Sequence, residues 1–474
     1  MTAAHQPGPG ATTPAAEELG RVHLIGVGGA GMSAIALLLA SRGLPVSGSD
    51  ARPGAVLDAL AAAGVRVHVG HDPAHVADAD TVVVSSAIRP TNPELARARD
   101  LGLRVLHRSV ALAALMRGRR TVAVAGAHGK TTTSAMVARA LACAGLDPSY
   151  AIGAAVEGPV GARHGGGDVF VAEADESDGS FLAYSPFVAV VTNVEPDHLD
   201  HYGTREAFEE AFVAFARRVE PGGHLVACAD DAGARRLADA ARADGVRVLT
   251  YGTTDADVVV GPWLPEVGGG MGGAVTVEGL GDGPLELRLA VPGAHNGLNA
   301  AAAWTVARLL GVPASDAAAG LAGFMGTGRR FEERGSAGGV RVVDDYAHHP
   351  TEVAALLRAA RPVAGAGRLL VLFQPHLYSR TRTFAAEFAA ALDAADVVVV
   401  TDVYAAREDP EPGVTGALIT DRMTPGRGAF VPDRTAAAEM VGRAARPGDL
   451  VLTVGAGDVT ELAPVVLAAV VNRS

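Results

Sequence analysis

From Arg21 onward, short aliphatic runs alternate with Ala-rich stretches of helical period, the pattern that builds a parallel sheet covered by helices. In the first third the predicted strands are 22–27, 65–69, 81–85 and 103–106, and Asp50 closes the strand that follows the first helix. A basic link, Met116-Arg117-Gly118-Arg119-Arg120, then breaks the rhythm. Beyond it strands are expected at 122–125, 169–172, 188–192, 225–227 and 246–251. Between Gly268 and Pro292 the pattern changes to glycines and short alternating strands at 274–277 and 285–291, an antiparallel hairpin appended to a sheet. Helical period returns over 296–310, a second break falls at Gly326-Thr327-Gly328, and strands at 340–343, 369–373, 397–401 and 450–454 complete a third unit. The predicted fold class is α/β, with three α/β domains in series after a disordered tail over 1–20. A Rossmann-like domain covers 21–118. A central P-loop ATPase-type domain with the small antiparallel addition covers 119–327, and a second Rossmann-like domain covers 328–474. There is no tandem repeat of fixed period and no heptad pattern.

Two of the strand-to-helix junctions carry glycine loops. The apolar run 122–125 leads into Gly126-Ala127-His128-Gly129-Lys130-Thr131-Thr132, where small residues let backbone N–H groups close on phosphate oxygens. Lys130 adds a point charge and the Thr131 hydroxyl suits Mg²⁺. Val124 stands where the first glycine of a Walker A loop belongs, so the loop is the shorter G-x-x-G-K-T-T. The earlier junction, Gly26-Val27-Gly28-Gly29-Ala30-Gly31 with Asp50 further on, is a dinucleotide-type turn that accepts the diphosphate of NAD, FAD or a nucleotide sugar. A phosphate loop 100 residues after it, at Gly126, shifts the balance toward a diphosphate-bearing substrate, since an oxidoreductase has no use for a second triphosphate site.

Length and charge narrow the picture further. At 474 residues the chain exceeds a single core, and a prior of about 150 residues per domain suggests about three. Lys and Arg number 40 against 52 Asp and Glu, so the net charge of −12 offers no global basic field for nucleic acid or an anionic membrane. Any anionic substrate must be gripped locally. No apolar run approaches the roughly 18 residues a bilayer span needs; the patch at 35–40 is soon followed by Arg42 and Gly43. The start of the chain lacks a basic stretch followed by an apolar one, so a cytoplasmic protein is expected. Cys143 and Cys228, each in an apolar stretch and neither in a C-x-x-C pair, read as buried thiols of a reducing compartment.

The middle unit gathers acids at strand ends. Glu173-Ala174-Asp175-Glu176-Ser177-Asp178 follows the strand at 169–172, and that edge is where α/β sheets bind ligands. Four carboxylates so close repel unless cations share the space, which motivates a Mg²⁺ role. The strand at 188–192 ends in Asn193-Val194-Glu195-Pro196-Asp197-His198, again with metal-competent groups.

Nine ordered segments together resemble the Mur ligase family: GVGGAGMS (26–33), GAHGKTT (126–132), EADESDGSF (173–181), TNVEPDHLD (192–200), HNGLNA (295–300), GRRFE (328–332), DDYAHHPTE (344–352), FQPHLYSRT (373–381) and DVYAAREDP (402–410). The resemblance covers nearly everything from Arg21 to the C-terminus and is closest to the branch that adds L-alanine. It implies an ATP-dependent ligase, forming a carbon–nitrogen bond between L-alanine and the lactyl carboxylate of UDP-N-acetylmuramate through an acyl phosphate, in peptidoglycan precursor synthesis. ATP would be held by Gly126, Ala127, His128, Gly129, Lys130, Thr131 and Thr132, with His295 and Asn296 near the adenine and Arg330 and Asp345 reaching the nucleotide. Mg²⁺ would be held by Thr131, Glu173 and His198, Glu173 being preferred to Glu176 because it follows the strand directly. The UDP-sugar would lie on Gly26, Gly28, Gly29 and Gly31, with Asp50, His71, Ser85 and Ser86 around it. His348, His376, Tyr378 and Arg380 would line the amino-acid cleft. Lys130, His198, His348 and Arg380 would carry the chemistry. The implied partners are these small molecules alone, without nucleic acid or membrane insertion, and a homodimer is compatible with the sequence.

Two positions depart from the family pattern. Leu377 stands where many relatives carry a second arginine, a contact that Arg382 could supply. Sister ligases often use a carboxylated lysine after the D-H motif, yet 199–217 contains no lysine, in keeping with the alanine-adding branch. Three alternatives remain at this stage. One is a ligase that recycles a preformed tripeptide onto the same nucleotide sugar; the others are an NAD-dependent oxidoreductase with an ATPase domain and a non-catalytic UDP-sugar-binding module.

Overall fold

The computed structural model of the chain describes residues 13–156, 158–196, 199–268, 270–406 and 408–472. Its first sheet holds β1 (Val22–Ile25), β2 (Val46–Asp50), β3 (Arg66–Val69), β4 (Thr81–Val84) and β5 (Arg104–His107), all parallel, in the order β3-β2-β1-β4-β5. β1 and β4 are buried at every position, His23 and Thr81 included, as strands inside a covered parallel sheet are, while β3 and β5 at the edges are partly exposed. Strand order reverses beside β1, and the crevice there receives the glycine turn and the helix Ala30–Ser41.

The middle sheet comprises β6 (Arg120–Ala125), β7 (Ser149–Ala151), β8 (Ala162–Arg163), β9 (Val169–Glu173), β10 (Val188–Val191), β11 (His224–Cys228), β12 (Arg247–Gly252) and β13 (Val258–Val260). The short β14 (Leu264–Pro265) and the hairpin β15 (Gly273–Gly279) and β16 (Asp282–Leu289) extend it. β12-β11-β10-β6-β9-β7 run parallel, whereas β15 joins β13 antiparallel, as the change of rhythm in the sequence predicted. One face is sealed by Phe181, Phe208, Phe212 and Phe215, with ring centroids 4.9–5.3 Å apart. Behind the phosphate loop, helix Lys130–Cys143 is met by helix Ala314–Ala322 at Gly320, where a Cβ would come 2.8 Å from Ala140 Cα.

The third sheet contains β17 (Glu332–Ala337), β18 (Val340–Asp345), β19 (Leu369–Phe373), β20 (Val397–Val400), β21 (Gly428–Phe430) and β22 (Leu450–Val454), in the order β17-β18-β22-β19-β20-β21. Only its edge strand β17 is antiparallel among the described pairings. The α/β class and the three domains in series stand as expected. The chain packs into two units. One is Met1–Gly261, Thr276–Leu287 and Leu298–Gly323, which takes in the first sheet and most of the middle one; the other is Pro262–Val275, Arg288–Gly297 and Phe324–Ser474.

Some expectations require correction. The disordered tail over 1–20 is too long: Ala16–Leu19 form a turn of 3-10 helix, Leu19 is fully buried, and its carbonyl accepts the Thr81 hydroxyl at 2.7 Å. Residues 1–12 lie outside the described residues. Cys143 is exposed at the end of its helix, whereas Cys228 is buried and its thiol pushed up to about 11, chiefly by burial. β17 was not expected, because Glu332-Glu333-Arg334-Gly335-Ser336-Ala337 has no apolar alternation; β18 supplies its hydrogen bonds. No helix among the described residues is long and apolar enough to cross a membrane.

Candidate active site

β6 delivers the phosphate loop at its carboxyl end. Gly126 (φ +132°) and Gly129 (φ +83°) hold backbone conformations that side chains rarely adopt, so glycine is required at both. A Cβ on Gly129 would also come 2.8 Å from Asn299 Oδ1. The loop is braced from β10: His128 N donates to Asn193 Oδ1 at 3.0 Å, and the Thr192 hydroxyl donates to the His128 carbonyl at 2.5 Å. His128 also meets Glu195 at 3.1 Å, Ala127 is half-buried, and Thr132 is buried on the first helical turn.

Lys130 and Thr131 face the acidic segment that follows β9. Thr131 Oγ1 lies 3.1 Å from both Glu173 oxygens, and Gly153 N donates to Glu173 Oε2 at 2.7 Å. A hydroxyl and a carboxylate oxygen at the mouth of a phosphate loop are hard donors that fit Mg²⁺. Glu176 turns instead to Lys130, with 2.7 Å between Oε1 and Nζ. Glu173, not Glu176, is thus the carboxylate beside Thr131. Burial opposes the Lys130 charge, but Glu176, Asp175 and Glu173 outweigh it and raise its pKa to about 12. Burial lifts Glu176 to about 7 despite Lys130. His198, expected in both the catalytic and metal sets, lies outside the described residues.

Across the same unit lies the diphosphate turn. Gly26 takes φ +79°, and a Cβ there would press Ile88 at 3.1 Å. Gly28 N donates to Asp50 Oδ2 at 2.9 Å, the same oxygen a Gly28 Cβ would crowd, so Asp50 secures the turn itself. Gly29 precedes the helix, and Gly31 lies beside Arg108, whose Nη1 would be 3.1 Å from a Cβ there. His71 Nδ1 approaches Ser49 Oγ at 3.1 Å and buried Glu94 Oε2 at 3.0 Å, while Ser85 is half-buried. Ser86 Oγ donates to Asp178 at 2.9 Å, and Arg108 pairs with Asp175 at 2.7 Å. The acidic segment thus reaches both glycine loops: Glu173 and Glu176 face the phosphate loop, Asp175 and Asp178 the diphosphate side. Arg108 and Asn299 were not singled out from the sequence. Arg108 sits outside every glycine motif, and Asn299 is the second asparagine of HNGLNA.

The other unit assembles its own group. His295 and Asn296 open helix Ala294–Leu309, with Asn296 Nδ2 donating to the Pro292 carbonyl at 2.8 Å. Burial, with Arg358 and Arg330 nearby, lowers His295 to about 4. Arg330 stacks over Tyr346 at 5.1 Å and faces Glu352 at 3.7 Å. The Asp345 carboxylate accepts from Phe331 N and Ala347 N, both at 2.8 Å; burial raises it to about 6 against Arg330. Two of its acceptor sites are thus committed to backbone. His348 and His376 rings lie 5.8 Å apart, and Arg380, buried, reaches His376 Nδ1 at 3.4 Å. Tyr378 begins the short helix Tyr378–Thr383, entered through Leu377 at φ +70°. Arg382, the substitute considered for an arginine at 377, is exposed and paired with Glu411.

With this geometry in place, comparisons with known proteins become decisive. Profiles described as "Mur ligase family, catalytic domain", "Mur ligase middle domain" and "Mur ligase, glutamate ligase domain" match residues 21–120, 124–307 and 329–457. The UDP-N-acetylmuramate–L-alanine ligase of Kineococcus radiotolerans is 62% identical over 472 residues, covering 98% of this chain and 99% of that one. The chain belongs to the Mur ligase family. Among solved Mur ligases, the UDP-N-acetylmuramate-alanine ligase of Thermotoga maritima superposes with a TM-score of 0.80 at 31% identity, covering 94% of this chain and 98% of that one. The murein peptide ligase of Psychrobacter arcticus gives 0.68 at 25% identity, with coverages of 95% and 99%.

Proposed function

We propose that this Mur ligase joins L-alanine to the lactyl carboxylate of UDP-N-acetylmuramate at the expense of ATP, in the cytoplasmic stage of peptidoglycan precursor synthesis. The observation that carries the chemistry is the meeting of Thr131 with Glu173 and of Lys130 with Glu176 at the carboxyl ends of two neighbouring strands, in the unit that also holds the diphosphate turn. The choice of alanine is supported by the relative that is 62% identical along the whole chain. We read the division of labour as UDP-sugar on 21–118, ATP on 119–327, and amino acid on 328–474.

In this mechanism the lactyl carboxylate attacks the γ-phosphorus, ADP leaves, and the amine of L-alanine then attacks the acyl phosphate and expels phosphate. Lys130 neutralises charge on the transferring phosphoryl group, with donors already fixed at the loop. Thr131, Glu173 and His198 would hold Mg²⁺, which screens the phosphate oxygens. Arg380 stabilises a carboxylate or the acyl phosphate. His348 donates from Nδ1 to the Tyr346 carbonyl at 2.9 Å, which leaves its Nε2 lone pair to take a proton from the incoming amine. Burial lowers His348 to about 4, so the imidazole is neutral at physiological pH.

The second reading, attachment of a preformed tripeptide, is not favoured, since the likeness to the murein peptide ligase is weaker than that to the alanine ligase. An ADP-release assay with UDP-N-acetylmuramate against single amino acids and one tripeptide separates the two. Turnover with L-alanine and none with the tripeptide is expected; the reverse pattern would reject the alanine assignment.

A further inference from the structure

Lys130 has its N–H donors engaged within the protein. Nζ donates to the Gly126 carbonyl at 2.6 Å and to Glu176 Oε1 at 2.7 Å, with the Ala127 carbonyl at 3.4 Å. Glu176 is completely enclosed, its Oε2 has no hydrogen-bond partner among the described residues, and its backbone carbonyl accepts the Tyr202 hydroxyl. A carboxylate in such a place keeps its charge only while a cation stands beside it. Phosphate oxygens compete for that cation and bring more negative charge to the same spot.

We propose that Glu176 is a positioning residue that parks Lys130 when the loop is empty, and that a bound nucleoside triphosphate draws the ammonium onto its phosphates while Glu176 takes up a proton from solvent. Lys130 stays protonated throughout, so the only bond formed is O–H on Glu176. The inference rests on reading the loop as an ATP site.

The groups facing Glu176 agree in direction. Asp175 on the same segment disfavours its ionisation, and Glu173 at the end of β9 adds to the negative charge around Lys130. Tyr202, from the short helix Leu199–Tyr202, is a neutral phenol whose own ionisation is disfavoured by burial and Glu176. Arg108 is engaged with Asp175 and Asp178 rather than with Glu176. Lys130 is thus the cation whose withdrawal matters, and burial already holds Glu176 near 7 with the ammonium present.

The test is isothermal titration calorimetry of the full chain with the Mg²⁺ complex of a non-hydrolysable ATP analogue, in buffers of differing ionisation enthalpy. At pH 8 the wild type should take up about one proton per nucleotide, and less at pH 6.5, where Glu176 already carries part of it. Its affinity should weaken by up to about tenfold per pH unit between pH 8 and 9, while Glu176→Gln should bind without uptake and with little pH dependence. No uptake by the wild type at pH 8, or undiminished uptake by the variant, overturns the proposal. Should Glu176→Gln fail to fold, the wild-type pH series decides alone. A wild type that binds no nucleotide overturns the ATP reading itself, a result distinct from binding without a proton.

Discussion

Lys130 is the single lysine among the 474 residues, so amine chemistry becomes a site-specific probe. Prolonged reductive labelling at high pH with an amine-selective aldehyde, slow at Lys130 because Glu176 and burial hold it as an enclosed ammonium, should reach only Lys130 and the N-terminal amine, and Mg-ATP should slow the first further and not the second. Peptide mapping that finds Lys130 equally labelled with and without nucleotide would reject its place on the phosphates. Lys130→Ala should lower kcat by about 10²-fold or more, as removal of a preorganised charge does, measured as ADP release. The sequence made this residue legible because glycine loop, lysine and threonine lie within one turn of chain. It did not reveal that Glu176 turns away to Lys130. Two carboxylates three residues apart on an irregular segment have no fixed periodicity, so only the folded path sets which way each points.

At the scale of elements, buried strands were the most readable parts. β19 and β22 fall on their predicted residues, because a parallel strand covered on both faces is a nearly continuous apolar run, broken here only by the hydrogen-bonded Thr453. The polar edge strand β17 was invisible for the converse reason: its conformation is imposed by β18 and not by its own pattern. The seating of the phosphate-loop helix also depends on a contact between distant segments, Gly320 against Ala140. Gly320→Val should overpack this crossing and cost about 1–3 kcal/mol, read as a lower midpoint in urea. An unchanged midpoint would show that the two helices separate freely. Gly126→Ala tests the loop itself: φ +132° strains any side chain, and nucleotide affinity should fall more than global stability does.

For the whole molecule, the buried imidazoles of the second unit set an acid limit. In the unfolded chain His295 and His348 bind protons near 6.5, but in the folded protein only near 4. Between those values the unfolded state carries more protons, so stability falls as pH drops from 6.5 toward 4. Asp345, between 3.8 and about 6, and Glu176, between 4.5 and about 7, work the other way, but burial also lowers His68, His107, His164 and His224, so the imidazoles still outnumber the two carboxylates and the sign is unchanged. Tm by calorimetry should be lower at pH 4.5 than at 6.5, and His348→Gln should narrow the difference; an equal slope in the variant would remove His348 from the linkage.

The sequence by itself determined the α/β class, the three successive domains and the two glycine loops, since each is written in local periodicity or in residues adjacent along the chain. Tertiary structure alone decided the partners: Arg108 with Asp175, Asn299 beside Gly129, and Glu176 enclosed against Lys130. These pairings join residues 46 to 170 positions apart, and their charges are set by burial and neighbours. Burial is a property of the packed chain, which no local pattern of residues encodes.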